Sequence, residues 1–321
     1  MDHRLSVRTN SAVILDYLTT HFKSFFRDTE APSFAHYFLF ESTQFEKLHF
    51  PSDAGVVWTK QDSKVFYQNG IYYGIYHGEL VKGIYNTKTN VVTNLLRDPT
   101  RYFNIFIGVV DHLFAKALLA HDIFRLHAAC VSKDNQALLI CGANSTGKTT
   151  LLLKLLQEGF HFVSDDSVYL QFQNDRLICI PFPKTIIANF NDITKFPGLY
   201  HNLNVRSVFT SYGTQKAVIY PAINNIPVDF HQMPVHHIIV STISEGASSI
   251  FEVNQEKLKF DLLFPSCSGK DLLNIDYIKD PEVFNKQSDF CQKVIELFPI
   301  KVVKMGSTFI EIKNIGHLLK H

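Results

Sequence analysis

One stretch of the sequence, ICGANSTGKTTL at positions 140–151, has the residue types and spacing of a phosphate-binding loop. Gly142, four variable residues and Gly147-Lys148-Thr149 form a complete Walker A pattern between an apolar run and a leucine-rich one. Glycines let backbone N–H groups turn towards phosphate oxygens at a helix N-terminus, whose dipole favours negative charge. The lysine would reach the β- and γ-phosphates, and the threonine hydroxyl would bind Mg²⁺. The pattern predicts nucleotide binding without distinguishing kinase, ATPase and GTPase.

A pair of carboxylates, Asp165 and Asp166, follows the next apolar run, at 160–164. One carboxylate can hold Mg²⁺ while the other accepts a proton from an attacking hydroxyl. Ser-Asp-Asp-Ser would also suit a turn or a helix N-cap, but its place directly behind the phosphate loop favours catalysis. The pair therefore favours a kinase over a nucleotide-dependent switch, which needs a water-positioning group and recognisable switch segments.

The elements that would position these residues can be predicted from hydrophobic periodicity. From Gly55 onwards, short β-branched and aromatic runs separated by turn residues predict an antiparallel β module, which the first 50 residues could extend. Asn69-Gly70, between two such runs, is typical of a hairpin turn. A helix is expected at about 101–120.

Around the phosphate loop, the pattern predicts strand, strand, loop, helix and strand, closing as a βαβ unit. The predicted elements are strands at 127–132, 136–141 and 160–164, with a helix at 149–158 ended by Gly159. Further strands follow, and a helix at about 281–298 precedes a strand pair at KVVKM and TFIEI.

The bulk composition excludes several classes of protein. The 321 residues are 46% hydrophobic and 19% charged, as in a folded chain, and a net charge of +1 indicates neither a nucleic-acid nor a membrane partner. The five cysteines include no CxxC pair, which favours free thiols in a reducing compartment. The N-terminus lacks the apolar core of a signal peptide, and the apolar segment 102–124 is interrupted by polar residues. A cytoplasmic protein is expected.

Leu126-His127-Ala128-Ala129, followed by ICGANSTGKTTLLLKLLQEGFHFVSDDSVYL, resembles the HPr kinase/phosphorylase superfamily and its serine-kinase relatives. Those proteins share a His-bearing strand, a Walker A loop, a helix ending in Gly and a short strand closing on Asp-Asp. The resemblance is close over about residues 120–172 and only general elsewhere. It is greatest to stand-alone kinases with their own N-terminal domain, a group that includes lasso-peptide kinases that phosphorylate a peptide serine.

The resemblance implies an α/β fold with two domains. Residues 121–321 would form an HPr-kinase-like P-loop catalytic domain with a mixed sheet. Residues 1–120 would form a mostly β (α+β) domain, and we expect it to bind the acceptor because every recognisable phosphate-handling group falls after residue 125.

The resemblance also implies roles for individual residues. Asp165 would be the catalytic base, His127 would stand at the edge of the active site, and Asp166 would join Thr149 as a ligand of Mg²⁺. His127 could instead be a core histidine on a buried strand. Nucleotide binding, with Lys148 also acting in catalysis, is assigned to the loop and the start of its helix: Gly142, Ala143, Asn144, Ser145, Thr146, Gly147, Lys148, Thr149 and Thr150.

The sequence departs from the bifunctional HPr kinases in two places. Their Glu-x-Arg-Gly-like segment downstream of the Asp pair is replaced here by PFPKTIIANF at 181–190. The first 120 residues also differ from the N-terminal domain of those enzymes. HPr itself is therefore not the expected acceptor.

The function predicted is an ATP- and Mg²⁺-dependent kinase acting on a hydroxyl, with serine of a peptide or protein as the acceptor. A small-molecule kinase and a non-kinase nucleotide-dependent switch remain as alternatives, and a homo-oligomer remains open. Neither nucleic acid nor membrane is an expected partner.

A few further residues are candidates with a plainer alternative. Lys184 and Lys216, and less so Arg206, could steady the transferring phosphoryl group, although solvated lysines are common on strands and loops. His231, His236 and His237 lack a matching carboxylate or cysteine at metal-ligand spacing. The segment 265–270, PSCSGK, superficially echoes a phosphate loop and is expected to be a plain loop.

Overall fold

A computed structural model describes residues 5–22, 33, 35–41, 48–60, 63–76, 80–98, 103–196, 203–209, 215–267 and 281–306. The chain divides into two compact units. The smaller comprises Met1–Ala117 with Val208–Gln215, and the larger comprises Leu118–Ser207 with Lys216–His321.

The smaller unit is built on one seven-stranded sheet. Its strands are β1 (Leu5–Thr9), β2 (Ala35–Glu41), β3 (Gly55–Lys60), β4 (Ser63–Gln68), β5 (Ile71–Tyr76), β6 (Val81–Asn86) and β7 (Val91–Leu96). They lie in the order β1-β2-β7-β6-β5-β4-β3. The strands from β3 to β7 form an antiparallel meander, as predicted, whereas β1 and β2 add to its β7 edge by parallel pairing. The chain before residue 120 also forms helices α1 (Ala12–His21) and α2 (Phe103–Leu119), the second as predicted.

Turn residues and alternating burial along the strands explain why this segment forms a meander. Asn69 and Gly70, with φ of 51° and 86°, make the tight turn between β4 and β5 that the Asn-Gly pair predicts. Burial alternates along β5 and β7, as expected for strands with one face in a core. Gly74 is required by a close approach, because a Cβ there would lie 2.2 Å from the hydroxyl of Tyr76.

The larger unit contains a nine-stranded mixed sheet, so the coarse prediction of an α/β fold is confirmed. The strands after residue 120 are β8 (Phe124–Leu126), β9 (Ala129–Lys133), β10 (Gln136–Cys141), β11 (His161–Ser164), β12 (Val168–Gln173), β13 (Arg176–Ile180), β14 (Ile186–Asn189), β15 (Val205–Phe209), β16 (Gln215–Ile219), β17 (Met233–Ile243), β18 (Ser249–Val253) and β19 (Ile300–Met305). The main path of the nine-stranded sheet is β11-β9-β10-β17-β13-β12-β8, and β19 pairs with β17 and β18. Strands β14-β16-β15 form a separate three-stranded sheet. The helices are α3 (Lys148–Gln157), α4 (Phe190–Ile193), α5 (Glu256–Cys267) and α6 (Pro281–Leu297).

Helix α3 follows the phosphate loop and covers one face of the sheet. Gly147 precedes it in the left-handed region, with φ of 87°, and Gly159 ends the turn after it, with φ of 84°. The leucines of α3 are buried with the side chains of β10 and β19, and each fully buried leucine contributes about 1.5–3 kcal/mol relative to an exposed one. The helix and its glycine stop are as predicted.

The opposite face of the sheet packs on α6, whose Phe290, Val294 and Ile295 are buried against β10 and β19. This core also contains buried free thiols, and burial raises the pKa of Cys141 to about 12. The prediction of free thiols is confirmed for the cysteines whose side chains are described: Cys130, Cys141, Cys179 and Cys291. Among the helices of the described residues, none has both the length and the apolar character that crossing a membrane requires.

Two predicted strand pairings are corrected. Strands β10 and β11, taken as neighbours in a βαβ unit, are separated by β9, which pairs antiparallel with both. The strand KVVKM, which is β19, pairs with β17 and β18. The proposed partner TFIEI lies outside the described residues. In each case the observed neighbours are other strands of the chain, because periodicity predicts strands but carries no information about which strands pair.

Candidate functional site

The candidate site lies at the edge of the nine-stranded sheet where β10 and β11 end. Residue pairing places the first residues of β9 between these two ends, with Ala129 opposite Ile140 and Cys130 opposite Ser164. Since neighbouring strands lie about 4.8 Å apart, the phosphate loop and the Asp pair leave the sheet about 10 Å from each other. The bend before β9, which carries His127, falls between them.

The phosphate loop approaches β17 so closely that its first glycine has no room for a side chain. A Cβ on Gly142, whose φ is 141°, would lie 2.6 Å from Thr146 Oγ1 and 2.9 Å from the carbonyl oxygen of Ser241. Thr146 Oγ1 also lies 3.3 Å from the hydroxyl oxygen of Ser241. The buried Lys148 donates hydrogen bonds of 3.0 Å to the carbonyl oxygens of Gly142 and Ala143. The lysine ammonium is therefore held directly beneath the loop.

The remaining residues assigned to the nucleotide occupy the rim of the loop and the first turn of α3. Asn144 and Ser145 are exposed, and Ser145 has a φ of 62°. Thr149 and Thr150 are half-buried in the first turn of the helix. Backbone N–H groups at such a helix start favour anions.

Ser266 ties the phosphate loop to the bend that carries His127. Its hydroxyl accepts a hydrogen bond of 2.9 Å from the N–H of Gly142, and its carbonyl oxygen accepts one of 2.7 Å from the N–H of His127. Ser266 is fully buried in α5, so the prediction of a plain loop is wrong for residues 265–267. The apolar run before it indicates a helix, but no local pattern indicates a contact with a loop 124 residues earlier.

Asp165 is a buried carboxyl group at the end of β11, only 4% exposed. Burial raises its pKa to about 6, and the charge of Asp166 adds to this effect. Lys184, the N–H of Ile187 and His127 act in the opposite direction; the N–H of Ile187 lies 3.4 Å from Asp165 Oδ2. A carboxylate with this pKa is mostly ionised at pH 7 and more basic than an ordinary aspartate.

Asp166 points away from the interior, in a left-handed conformation with φ of 68°, and its side chain is 55% exposed. His127 Nδ1 lies 3.0 Å from Asp166 Oδ1 and 3.2 Å from the backbone carbonyl oxygen of Asp166. Desolvation would raise the pKa of Asp166, but His127, Lys184 and Arg125 outweigh it and hold this pKa well below its ordinary value. The two adjacent carboxyl groups thus have pKa values shifted in opposite directions, as in sites where one carboxylate acts as a base and the other stays charged.

His127 lies in the bend between β8 and β9, so its predicted position on a strand is wrong. The alternative of a core histidine on a buried strand fails for the same reason. The bend arises where the chain leaves β8, which pairs with β12, and enters β9, which pairs with β10.

A cationic cluster beside the Asp pair was largely missed by sequence reasoning. The Ser167 hydroxyl oxygen accepts a hydrogen bond of 2.9 Å from Arg125 Nε and lies 3.4 Å from Lys184 Nζ. Lys184 is 3% exposed, so the interpretation of a solvated lysine is wrong. The Ser164 hydroxyl contacts the carbonyl oxygens of Ser167 and Phe182. It therefore joins the loop that carries Lys184 to the turn that carries the Asp pair. A lone lysine inside the apolar run PFPKTII was the available signal for a buried cation.

The other two basic candidates lie on the three-stranded sheet. Lys216, on β16, donates a hydrogen bond of 2.6 Å to Asn189 Oδ1 on the neighbouring strand β14. Arg206 lies half-buried on β15. The contacts of the Asp pair given above involve neither residue.

The donor chemistry of the site suits Mg²⁺. Mg²⁺ takes oxygen ligands, keeps several waters and is bound in phosphate sites by one or two side chains plus the phosphates. The Thr149 hydroxyl and the half-exposed Asp166 carboxylate are such donors. In the part of the chain that the structure describes, no three His, Cys, Asp or Glu side chains group as ligands, as an all-protein site would require.

Comparison with known proteins gives a distant likeness to solved structures. No protein-family profile and none of the curated proteins matches this chain. Among solved structures, the Hpr(Ser) kinase/phosphatase from Coxiella burnetii is similar at 15% identity and a TM-score of 0.28, over 61% of this chain and 90% of that one. A TM-score this low supports at most a distant likeness of fold to the HPr kinases.

Proposed function

We propose that this protein is a kinase that transfers the γ-phosphate of ATP to a hydroxyl group. The observation that carries the proposal is the buried Asp165, with its raised pKa, about 10 Å across β9 from a Walker A loop. A phosphate chain bound in the loop can extend its terminal phosphate towards this carboxylate. A kinase is favoured over a hydrolytic switch because a switch needs a water-positioning group and usually recognisable switch segments.

In this mechanism the loop N–H groups and Lys148 bind the phosphates, as the start of α3 favours. Asp165 accepts the proton of the attacking hydroxyl, for which a pKa of about 6 combines ionisation at neutral pH with useful basicity. Lys184 and Arg125 offset the negative charge that gathers near the Asp pair. Mg²⁺ held by Thr149 and Asp166 would neutralise charge on the β- and γ-phosphates.

We propose serine of a peptide or protein as the acceptor, and the smaller unit as the part that binds it. This acceptor is supported by the resemblance of LHAA, and of the segment from the phosphate loop to the Asp pair, to serine kinases. A small-molecule hydroxyl is the alternative within the same chemistry.

The experiment is transfer of label from γ-labelled ATP to a library of serine-containing peptides, with serine-to-alanine peptides as the control. We expect Asp165→Asn to reduce transfer about 10²–10⁴-fold with little change in ATP affinity, because only proton acceptance is lost. Lys148→Ala should lose both phosphate transfer and ATP binding, since it removes the positive charge that contacts the phosphates.

Three outcomes would contradict the proposal. Label released only as free phosphate with every acceptor would favour the switch. An Asp165→Asn enzyme as fast as the wild type would show that another group is the base. Unchanged turnover in Lys148→Ala would remove the phosphate loop from the mechanism.

A further inference from the structure

We infer that the nucleoside of the bound nucleotide rests on an apolar shelf formed by Ile243 and Met305, at the carboxyl ends of β17 and β19. The inference of this Ile243 shelf rests on the proposed function in one respect, because it takes the γ-phosphate to point towards the Asp pair. The class of ligand is a nucleoside triphosphate, whose base contacts the shelf while its phosphates fill the loop.

The shelf borders the phosphate loop directly. A Cβ on Gly147 would lie 2.1 Å from Met305 Cε and 3.8 Å from Ile243 Cγ1, so both side chains adjoin the last glycine of the loop. Two residues before Ile243, and therefore on the same face of β17, Ser241 contacts Thr146 of the loop. Ile243 and Met305 therefore lie beside the last glycine of the loop, on the face of β17 that contacts Thr146.

The two shelf residues are held together by the ends of their strands. Strands β17 and β19 are parallel, and Ile243 lies opposite Met305 in their pairing. Just beyond it, the N–H of Ser244 donates a hydrogen bond of 3.0 Å to the carbonyl oxygen of Met305. Met305 is 6% exposed and supports Ile243, which is 67% exposed although it ends a mostly buried strand. A ligand in the loop that also covered Ile243 would remove this apolar surface from water, which favours binding.

The direction of the triphosphate selects this side of the loop for the nucleoside. The Asp pair lies on the β11 side of β10, and transfer requires the γ-phosphate to point there. The other end of the phosphate chain must then leave the loop towards β17 and β19, on the opposite side of β10. In open α/β sheets, ligands bind outside the carboxyl ends of the strands, and a base is held mainly by apolar contacts.

The test compares binding of Mg·ATP and of Mg·tripolyphosphate to the full chain by titration calorimetry. Ile243→Asn removes the apolar surface without adding charge, so only a contact with the nucleoside should be affected. We expect it to weaken ATP binding about tenfold and to change tripolyphosphate binding less than twofold, as loss of a partly buried isoleucine predicts. Ile243→Ala should give a smaller loss in the same direction.

Phe230→Asn is the matched control. Phe230 is 56% exposed and lies three residues before β17, whose length of about 33 Å separates its start from Ile243, so this substitution should change neither affinity. The inference is overturned if Ile243→Asn leaves ATP affinity unchanged or weakens both ligands equally. If the wild-type protein binds tripolyphosphate as tightly as ATP, the nucleoside makes no contact with the shelf, whereas phosphate binding by the loop still stands. Failure to bind either ligand would also contradict the proposed function.

Discussion

Replacing Asp165 with Asn should stabilise the larger unit at neutral pH even though it removes the proposed catalytic base. The carboxyl group is 4% exposed, and burial raises its pKa from the ordinary value of 3.8 to about 6. A difference of about two pKa units corresponds to about 3 kcal/mol. Because the folded state binds this proton more tightly than the unfolded chain, the group's stabilising contribution is complete below pH 3.8 and is lost as pH rises through 6. The ionised carboxylate therefore costs up to about 3 kcal/mol at pH 7.5.

The expected gain is smaller than this ceiling. Asparagine carries no charge, and its side-chain oxygen can still accept from the N–H of Ile187, but its own N–H groups need acceptors in a buried place. Leaving them poorly paired costs about 1–2 kcal/mol, so we expect a net gain of about 1–2 kcal/mol. The control is Asp175→Asn, because the Asp175 side chain is 90% exposed and its charge stays in water.

The assay is urea denaturation without nucleotide or Mg²⁺ at pH 7.5 and at pH 4, with hydrogen exchange of β9–β11 to report on the larger unit separately. The difference between Asp165→Asn and wild type should be positive at pH 7.5 and should vanish or reverse near pH 4. A variant less stable at pH 7.5, or a difference that does not depend on pH, would refute the assignment of a desolvated carboxylate.

Asp166→Asn should raise the Mg²⁺ concentration needed for nucleotide binding, measured by titration with the metal; an unchanged requirement would remove this carboxylate from the metal site. Lys184→Met should slow phosphate transfer at least about tenfold, because it removes a positive charge beside the Asp pair, whereas Lys216→Met should not. Equal effects of the two substitutions in the transfer assay would show that Lys184 has no role in transfer. Ser266→Ala should leave the buried N–H of Gly142 without its acceptor, lower stability by about 1–3 kcal/mol and weaken tripolyphosphate binding; unchanged melting and affinity would contradict this role.

Features that depend on neighbouring residues in the chain were predictable from the sequence. The phosphate loop with its glycine-bounded helix, the Asn69-Gly70 hairpin and the helix at 103–119 each follow from short-range rules of backbone conformation and periodicity. The order of the loop and the Asp pair along the chain was also evident, because strand, loop, helix and strand are consecutive.

Tertiary structure alone decided which distant residues complete the site. Ser266 reaches Gly142 from 124 positions away, and Arg125 on β8 and Lys184 in the loop before β14 meet on Ser167. The insertion of β9 between β10 and β11, which puts His127 between the loop and the Asp pair, depends on strand pairing rather than on local pattern. The sequence by itself determined the elements and the conformation of the glycine-bounded loop, since these depend on local φ/ψ preferences and hydrophobic period. Burial and electrostatic environment, which raise one carboxyl pKa and lower its neighbour's, depend on long-range packing and exist only in the folded chain.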